Sequence, residues 1–446
     1  MRFTNHSFGR HTTVAASALL VGMAACAGAP PYPGDEEERP RDERVRPGIT
    51  VLLEDSSALI DGKRVGLLTN QSGVDERGHS DIDLLFGAAV SRRKWQSGGP
   101  RLVALFSPEH GIRGTEDRQF VASGRDAHTG LTVHSLYGAT TIAPPDSTLR
   151  DLDVLVIDLQ DIGTRTWTYQ GTMIYAMRAA ARRRLPVLVL DRPNPITGVH
   201  TEGPLLDTTL AYAGTMADGG RAAKPFALYP IPLRHGLTMG ELALFYNQVL
   251  SLGAELHVIP ARGWRREQWL DQTGLPWIRP SPNMPSLESA LLYPGLVAFE
   301  GSNLSVGRGT PIAFQHLGAP WLDARRVVAL LEDRTLTGVK FEAERFTPDQ
   351  PTDGKFAGRA LNGVRIVVTD RDRVQPARVG AALLWAIAKT HPDSLHLAAG
   401  PFDERFGGAR MREALLRGDD PDAVIDRELP STVAFEKASR AFWLYR

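Results

Sequence analysis

Two short runs, Val-Leu-Val-Ile-Asp-Leu at 154–159 and Val-Leu-Val-Leu-Asp at 187–191, are apolar along their length instead of alternating with polar residues. A strand of that kind needs cover on both faces, the situation of a parallel sheet with helices above and below. The expected strands are Arg64–Thr69, Arg101–Phe106, Asp153–Leu159, Pro186–Asp191 and Glu255–Pro260, separated by amphipathic stretches such as Thr168–Arg184 and Met239–Leu252. This alternation predicts an α/β fold with a Rossmann-like, doubly wound, mostly parallel sheet.

The chain has 446 residues, more than one hydrophobic core usually supports. Its second half reads differently. Gly263–Thr310 is rich in Pro, Gly, Ser and Asn and reads as long ordered loops lining a cleft, followed by a strand at Val364–Thr369 and helices at Arg378–Thr390, Met411–Leu416 and Val433–Leu444. The expected division is a Rossmann-like domain over 48–262 and a smaller α+β domain over 263–446 that completes the cleft.

Ahead of the body, Arg2 and Arg10 precede an apolar run, Val14–Ala25, which ends in Met23-Ala24-Ala25-Cys26. That is the pattern of an export signal, too short for a permanent span. Cys26 is the single cysteine, so no disulfide forms within the chain, and its setting after small residues reads as a lipidation site. The expectation is a signal peptide over 1–26, a lipid anchor at Cys26 and a periplasmic, membrane-tethered protein. Residues 27–47, Pro-rich and charged, read as a disordered spacer. The 51 basic and 51 acidic residues cancel, and no basic tract interleaved with aromatics marks a nucleic-acid partner.

In an open parallel sheet ligands bind beyond the carboxyl ends of the strands. Three strand ends here run into dense polar strings: Ser107-Pro108-Glu109-His110-Gly111-Ile112-Arg113-Gly114, Gln160-Asp161-Ile162-Gly163-Thr164-Arg165-Thr166-Trp167, and Arg192-Pro193-Asn194-Pro195. Glu109, on a tight turn over an apolar sheet, suits a general acid; the plainer role is a carboxylate capping a nearby N–H. Asp158 and Asp161 suit sugar hydroxyls or a pairing with Arg165. Arg113 and Arg165 suit a bidentate carboxylate contact or structural ion pairs. Asn194, between prolines, suits a ligand or a plain turn. In the second half Asn283, Glu300, Asn303 and Arg308 carry similar density, with Glu300 as the second carboxylate; His110 joins the binding candidates.

Other chemistries find little support. Gly301, Gly307 and Gly309 lack the Gly-Lys-Ser/Thr ending of a phosphate loop, and the first strand ends in Thr69-Asn70-Gln71-Ser72-Gly73 with no dinucleotide fingerprint. No cofactor is expected. The histidines show no metal-binding spacing, so no metal is expected either. Ser91-Arg92-Arg93-Lys94 matches a Ser-x-x-Lys pattern but lacks its partner motifs and reads as chance.

Taken in order, LLTNQSG, SPEHGIRG, DLQDIGTRTWTY, LDRPNPITG, PSPNMPSLESALLYPG and FEGSNLSVGRGT resemble the exo-β-N-acetylmuramidases of peptidoglycan recycling, long known only as a domain of unknown function. The match runs from about Val65 to Phe402-Asp403 and Trp443–Tyr445. The resemblance implies a Rossmann-like domain, a smaller C-terminal domain and a pocket at their interface. It further implies release of N-acetylmuramic acid from non-reducing ends of glycan chains, with the glutamate of SPEHG, here Glu109, as general acid/base. Glu300 and Asp161, with Asp158, remain candidates for the second catalytic group, and Arg113, Arg165 or Arg308 for the sugar's lactyl carboxylate. A protein that binds muropeptides without cleaving them is the alternative on the same fold.

Overall fold

The computed structural model describes residues 44–88, 97–114, 121–137, 142–211 and 225–446. The expected signal peptide, Cys26 and the Ser91–Lys94 string lie outside the described residues. Val45 and Arg46, expected in the spacer, already belong to the body: the Val45 amide bonds the Thr273 carbonyl and Arg46 pairs with Arg262.

Along the chain the strands are β1 (Arg64–Thr69), β2 (Arg101–Ser107), β3 (Gly124–Arg125), β4 (Thr132–Ser135), β5 (Val154–Asp158) and β6 (Val187–Leu190). A separate antiparallel pair follows, β7 (Glu202–Leu205) and β8 (Pro232–Arg234), and then β9 (Leu256–Ile259). Seven strands form one sheet in the order β3-β4-β2-β1-β5-β6-β9, parallel throughout except at the β3–β4 edge. Val65, Leu67, Val154, Val156, Leu188 and Leu190 pack on one face with Ile49, Leu52, Ile82 and Leu85 of helices Gly48–Asp55 and Asp81–Ala88. Leu68, Leu155, Ile157, Val187 and Val189 pack on the other with helices Thr168–Arg182 and Met239–Val249. The unbroken apolar runs of β5 and β6 thus meet cover on both sides, as a doubly wound sheet requires.

The chain lays β2, β4 and β3 to one side of β1, then crosses back to place β5, β6 and β9 on the other. The direction of winding reverses at β1, so the crevice beyond the carboxyl ends of its neighbours is where the fold leaves room for a ligand.

The C-terminal half carries β10 (His316–Ala319), β11 (Val339–Phe346) and β12 (Leu361–Val368), an antiparallel sheet in the order β10-β12-β11, with helices around it. Its apolar residues join the core on the second face of the large sheet. The segment 263–310 is not loop throughout: Leu287–Leu296 is a helix that continues as a 3-10 turn, Val297–Gly301. Pro294 argues against a helix in sequence, and residues 289–296 are all buried, so no polar face reveals the helical period. Gly295 meets Gly380 of helix Pro376–Thr390, where a Cβ would come within 2.0 Å of Pro376 O and 2.1 Å of Gly295 O respectively.

The last expected helix is also displaced. It spans Leu429–Ser439, started by Pro430 in its first turn, and a short 3-10 turn and an extended tail follow. The tail returns to the large sheet, where the Tyr445 hydroxyl donates to Asp191 Oδ2 at 2.6 Å and accepts from the Ala261 amide at 2.8 Å.

Candidate active site

Beyond β2 the chain turns through Pro108-Glu109-His110-Gly111, closed by a 3.2 Å hydrogen bond from the Gly111 amide to the Pro108 carbonyl. His110 has φ of 70° and Gly111 of 75°. A left-handed histidine is sterically costly and persists where the surroundings hold it, as functional turns often do. The turn sets Glu109 and His110 in the wall of a cavity of about 160 Å³. Tyr137, two residues past β4, and Thr166, Trp167 and Thr168, past β5, complete that side; Asn283, Tyr293, Glu300, Arg308 and Arg405 come from the C-terminal half.

Thr168 begins helix Thr168–Arg182, and its hydroxyl donates to Glu109 Oε2 at 2.6 Å. The carboxyl group therefore lies at the positive end of a helix, where negative charge is favoured. Tyr137 is beside it; burial first, and the Glu109 carboxylate second, push that hydroxyl above the ordinary tyrosine range, so it stays neutral. Hydroxyls donate to a carboxylate and accept from a carboxylic acid, so both neighbours serve Glu109 with or without its proton.

Glu300 is held by cations instead. Arg308 donates to its Oε1 from Nε at 2.9 Å and from Nη2 at 2.6 Å, and Arg405 Nε lies 3.4 Å from Oε2. Burial pushes this carboxyl up, but Arg308 and Arg405 outweigh burial and hold it below the usual glutamate range. It remains an ion at neutral pH. The Trp167 indole N–H, in the same wall, is buried without a hydrogen-bond partner among the described residues, an unpaired donor that a ligand oxygen would satisfy.

The structure brings Glu109, His110, Asn283, Glu300 and Arg308 to one cavity and places the remaining candidates elsewhere. Asp158 is fully buried in a two-pronged pairing with Arg192, whose Nη2 donates to Oδ2 at 2.8 Å. Asp161 accepts from the Gly163 amide at 2.5 Å and from Gln170 Nε2 at 3.0 Å, with His235 Nε2 at 3.2 Å, so its carboxylate organises the loop after β5 and lies outside the cavity lining. Arg165 donates to the Glu404 and Arg405 carbonyls, both at 3.0 Å, and not to Asp158 or Asp161. Arg113 pairs with Asp126 at 2.5 Å. Asn194 holds its own turn through the Ile196 amide and the Leu237 carbonyl, and Asn303 clasps Ser394 and His396. Tyr169, two residues beyond Trp167, is buried with its hydroxyl on the Pro280 carbonyl.

Sequence reasoning missed Tyr137, Thr168 and Arg405. Tyr137 follows a four-residue strand too short to recognise. Thr168 stands at a helix start within a string already singled out, a signal that was available. Arg405 reads as an ordinary basic residue in the last turn of helix Ala399–Phe406, and only tertiary packing brings it to Glu300.

Residues 65–288 match the family model described as exo-beta-N-acetylmuramidase NamZ, N-terminal, and residues 291–445 match its C-terminal counterpart. The peptidoglycan beta-N-acetylmuramidase NamZ of Bacillus subtilis (strain 168) is 37% identical over 429 residues, covering 96% of this chain and 97% of the relative. Two solved structures of DUF1343 family proteins from Bacteroides fragilis NCTC 9343 superpose with TM-scores of 0.79 and 0.68 at 34% and 26% identity, each covering 90% of this chain and 99% of the other. With the fold, the cavity and both halves of the family pattern present, the chain belongs to the exo-β-N-acetylmuramidase family and is a glycoside hydrolase.

Proposed function

We propose that this enzyme releases N-acetylmuramic acid from the non-reducing ends of peptidoglycan fragments, with Glu109 as the general acid and then the base. The supporting observation is a pair of carboxyl groups in one small cavity under different control. Glu109 has hydroxyl company and a helix start beside it; Glu300 is clamped as an ion by Arg308. Glycoside cleavage asks for such a division, one carboxyl group to protonate the departing oxygen and one carboxylate to oppose the positive charge that develops on the sugar. As Glu109 gives up its proton, Thr168 and the helix terminus stabilise the charge that appears on it. The activity in the name of the Bacillus relative supports the substrate class.

The test is turnover of a chromogenic β-N-acetylmuramide by the purified protein and its Glu109→Gln variant. Loss of a general acid lowers the rate by about a hundred- to ten-thousandfold, with the variant's melting curve unchanged. Equal rates would remove Glu109 from the role. Muropeptide binding with no product over long incubation would instead favour the non-cleaving alternative.

We also propose that the protein is exported and anchored in the envelope through a lipid on Cys26, facing periplasmic fragments. Support comes from the residues alone: Arg2 and Arg10, the Val14–Ala25 apolar run, and a single cysteine after Met23-Ala24-Ala25.

A further inference from the structure

The end of the cavity around Glu300 carries more positive charge than its carboxylate neutralises. Arg308 and Arg405 both face Glu300, and Lys355 Nζ lies on the carbonyls of Glu300 at 2.9 Å and Leu304 at 3.0 Å. Asp353, the other acid close to Lys355, is exposed to water, where its charge is screened. Glu109 keeps its own partners, the Thr168 hydroxyl and the start of helix Thr168–Arg182. The two arginines are held unequally. Arg308 makes two hydrogen bonds to Glu300, whereas Arg405 approaches it only to 3.4 Å, with Nη1 on the Pro401 carbonyl at 2.9 Å and the guanidinium 4.7 Å over the Phe226 ring. The backbone under Arg405 is fixed from the other half of the chain, since Arg165 grips its carbonyl.

We propose that Arg405 binds a carboxylate on the substrate and thereby selects an acidic amino sugar over its neutral counterpart; this rests on the reading of the substrate as N-acetylmuramic acid, whose lactyl group supplies that carboxylate. Arg308 stays with Glu300 and keeps it charged, while Arg405 exchanges a loose contact for a two-pronged one with the ligand. Arg405 is then a specificity determinant, separate from the proton transfer at Glu109.

The experiment compares equilibrium binding of free N-acetylmuramic acid and N-acetylglucosamine to the full protein and to Arg405→Gln and Arg405→Lys, alongside turnover of the muramide. The expected result is that Arg405→Gln weakens N-acetylmuramic acid binding about tenfold or more, changes N-acetylglucosamine binding by less than about twofold, and raises KM more than it lowers kcat. Arg405→Lys, which keeps the charge and loses the fork, falls between. Equal weakening of both sugars, or unchanged preference for the acidic one, overturns the assignment. If the parent does not cleave the muramide while Arg405 still favours N-acetylmuramic acid over N-acetylglucosamine in binding, the proposed reaction fails and the anion site stands.

Discussion

Two carboxyl groups, the partly buried Glu300 and the fully buried Asp81, show how local company decides what the same chemistry does. Glu300 is held below the usual range because two arginines outweigh its burial. Asp81, wholly buried, is pushed well above it, first by burial and then by Asp158, with Arg192 no nearer than 3.8 Å. Their contributions to stability therefore have opposite signs with pH. For Glu300 the stabilisation is present above the pKa of the unfolded chain and lost as pH falls through the lower folded value. For Asp81 the folded protein keeps a proton that the unfolded chain releases, so stability drops as pH rises from the ordinary aspartate range through the raised folded value. Denaturant midpoints measured across pH should show Asp81→Asn gaining on the parent toward alkaline pH, and Glu300→Gln losing the parent's advantage at neutral pH while converging with it in acid. Parallel curves for Asp81→Asn and parent would mean that Asp81 ionises normally.

At the scale of elements, the site depends on a helix that no periodic pattern announced. Leu287–Leu296 is surrounded by protein, seats against helix Pro376–Thr390 through the Gly295–Gly380 contact, and leads into the turn that carries Glu300. Glycine at position 380 is required by that close approach, since an added Cβ would press on backbone that cannot swing aside. Gly380→Ala should cost on the order of 3 kcal/mol in denaturant unfolding and should weaken muramide turnover, because the shift passes along the helix to Glu300. Gly400→Ala, whose added Cβ meets nothing within 4 Å, is the control and should be close to neutral.

The whole molecule is organised by returns of the chain on itself. Arg165, after β5, holds the backbone of Arg405, far away in sequence, and the C-terminal tail docks on Asp191 and Glu241 of the first half, the Leu444 amide reaching Glu241 Oε1 at 2.9 Å. These long-range contacts let one cavity draw its walls from both halves of the chain. The proposed anchor acts at this scale too. In cells, the parent should partition with membranes and Cys26→Ser with the soluble fraction at equal specific activity; a parent found wholly soluble would remove the lipid anchor from the account.

The parallel sheet was legible because runs such as Val154–Asp158 admit one physical solution, burial on both faces, and the turn bearing Glu109 could be picked out because strand ends are where such a sheet opens. What sequence left undecided is how polar side chains choose partners. Asp158, Asp161 and Glu300 look alike in a string of letters, and only the packed fold put Arg192 on the first, Gln170 and His235 on the second, and Arg308 with Arg405 on the third. Backbone pattern is a local property, written in the spacing of apolar residues. The charge and hydrogen-bond company of a buried carboxylate is set by residues that meet only after the chain has folded.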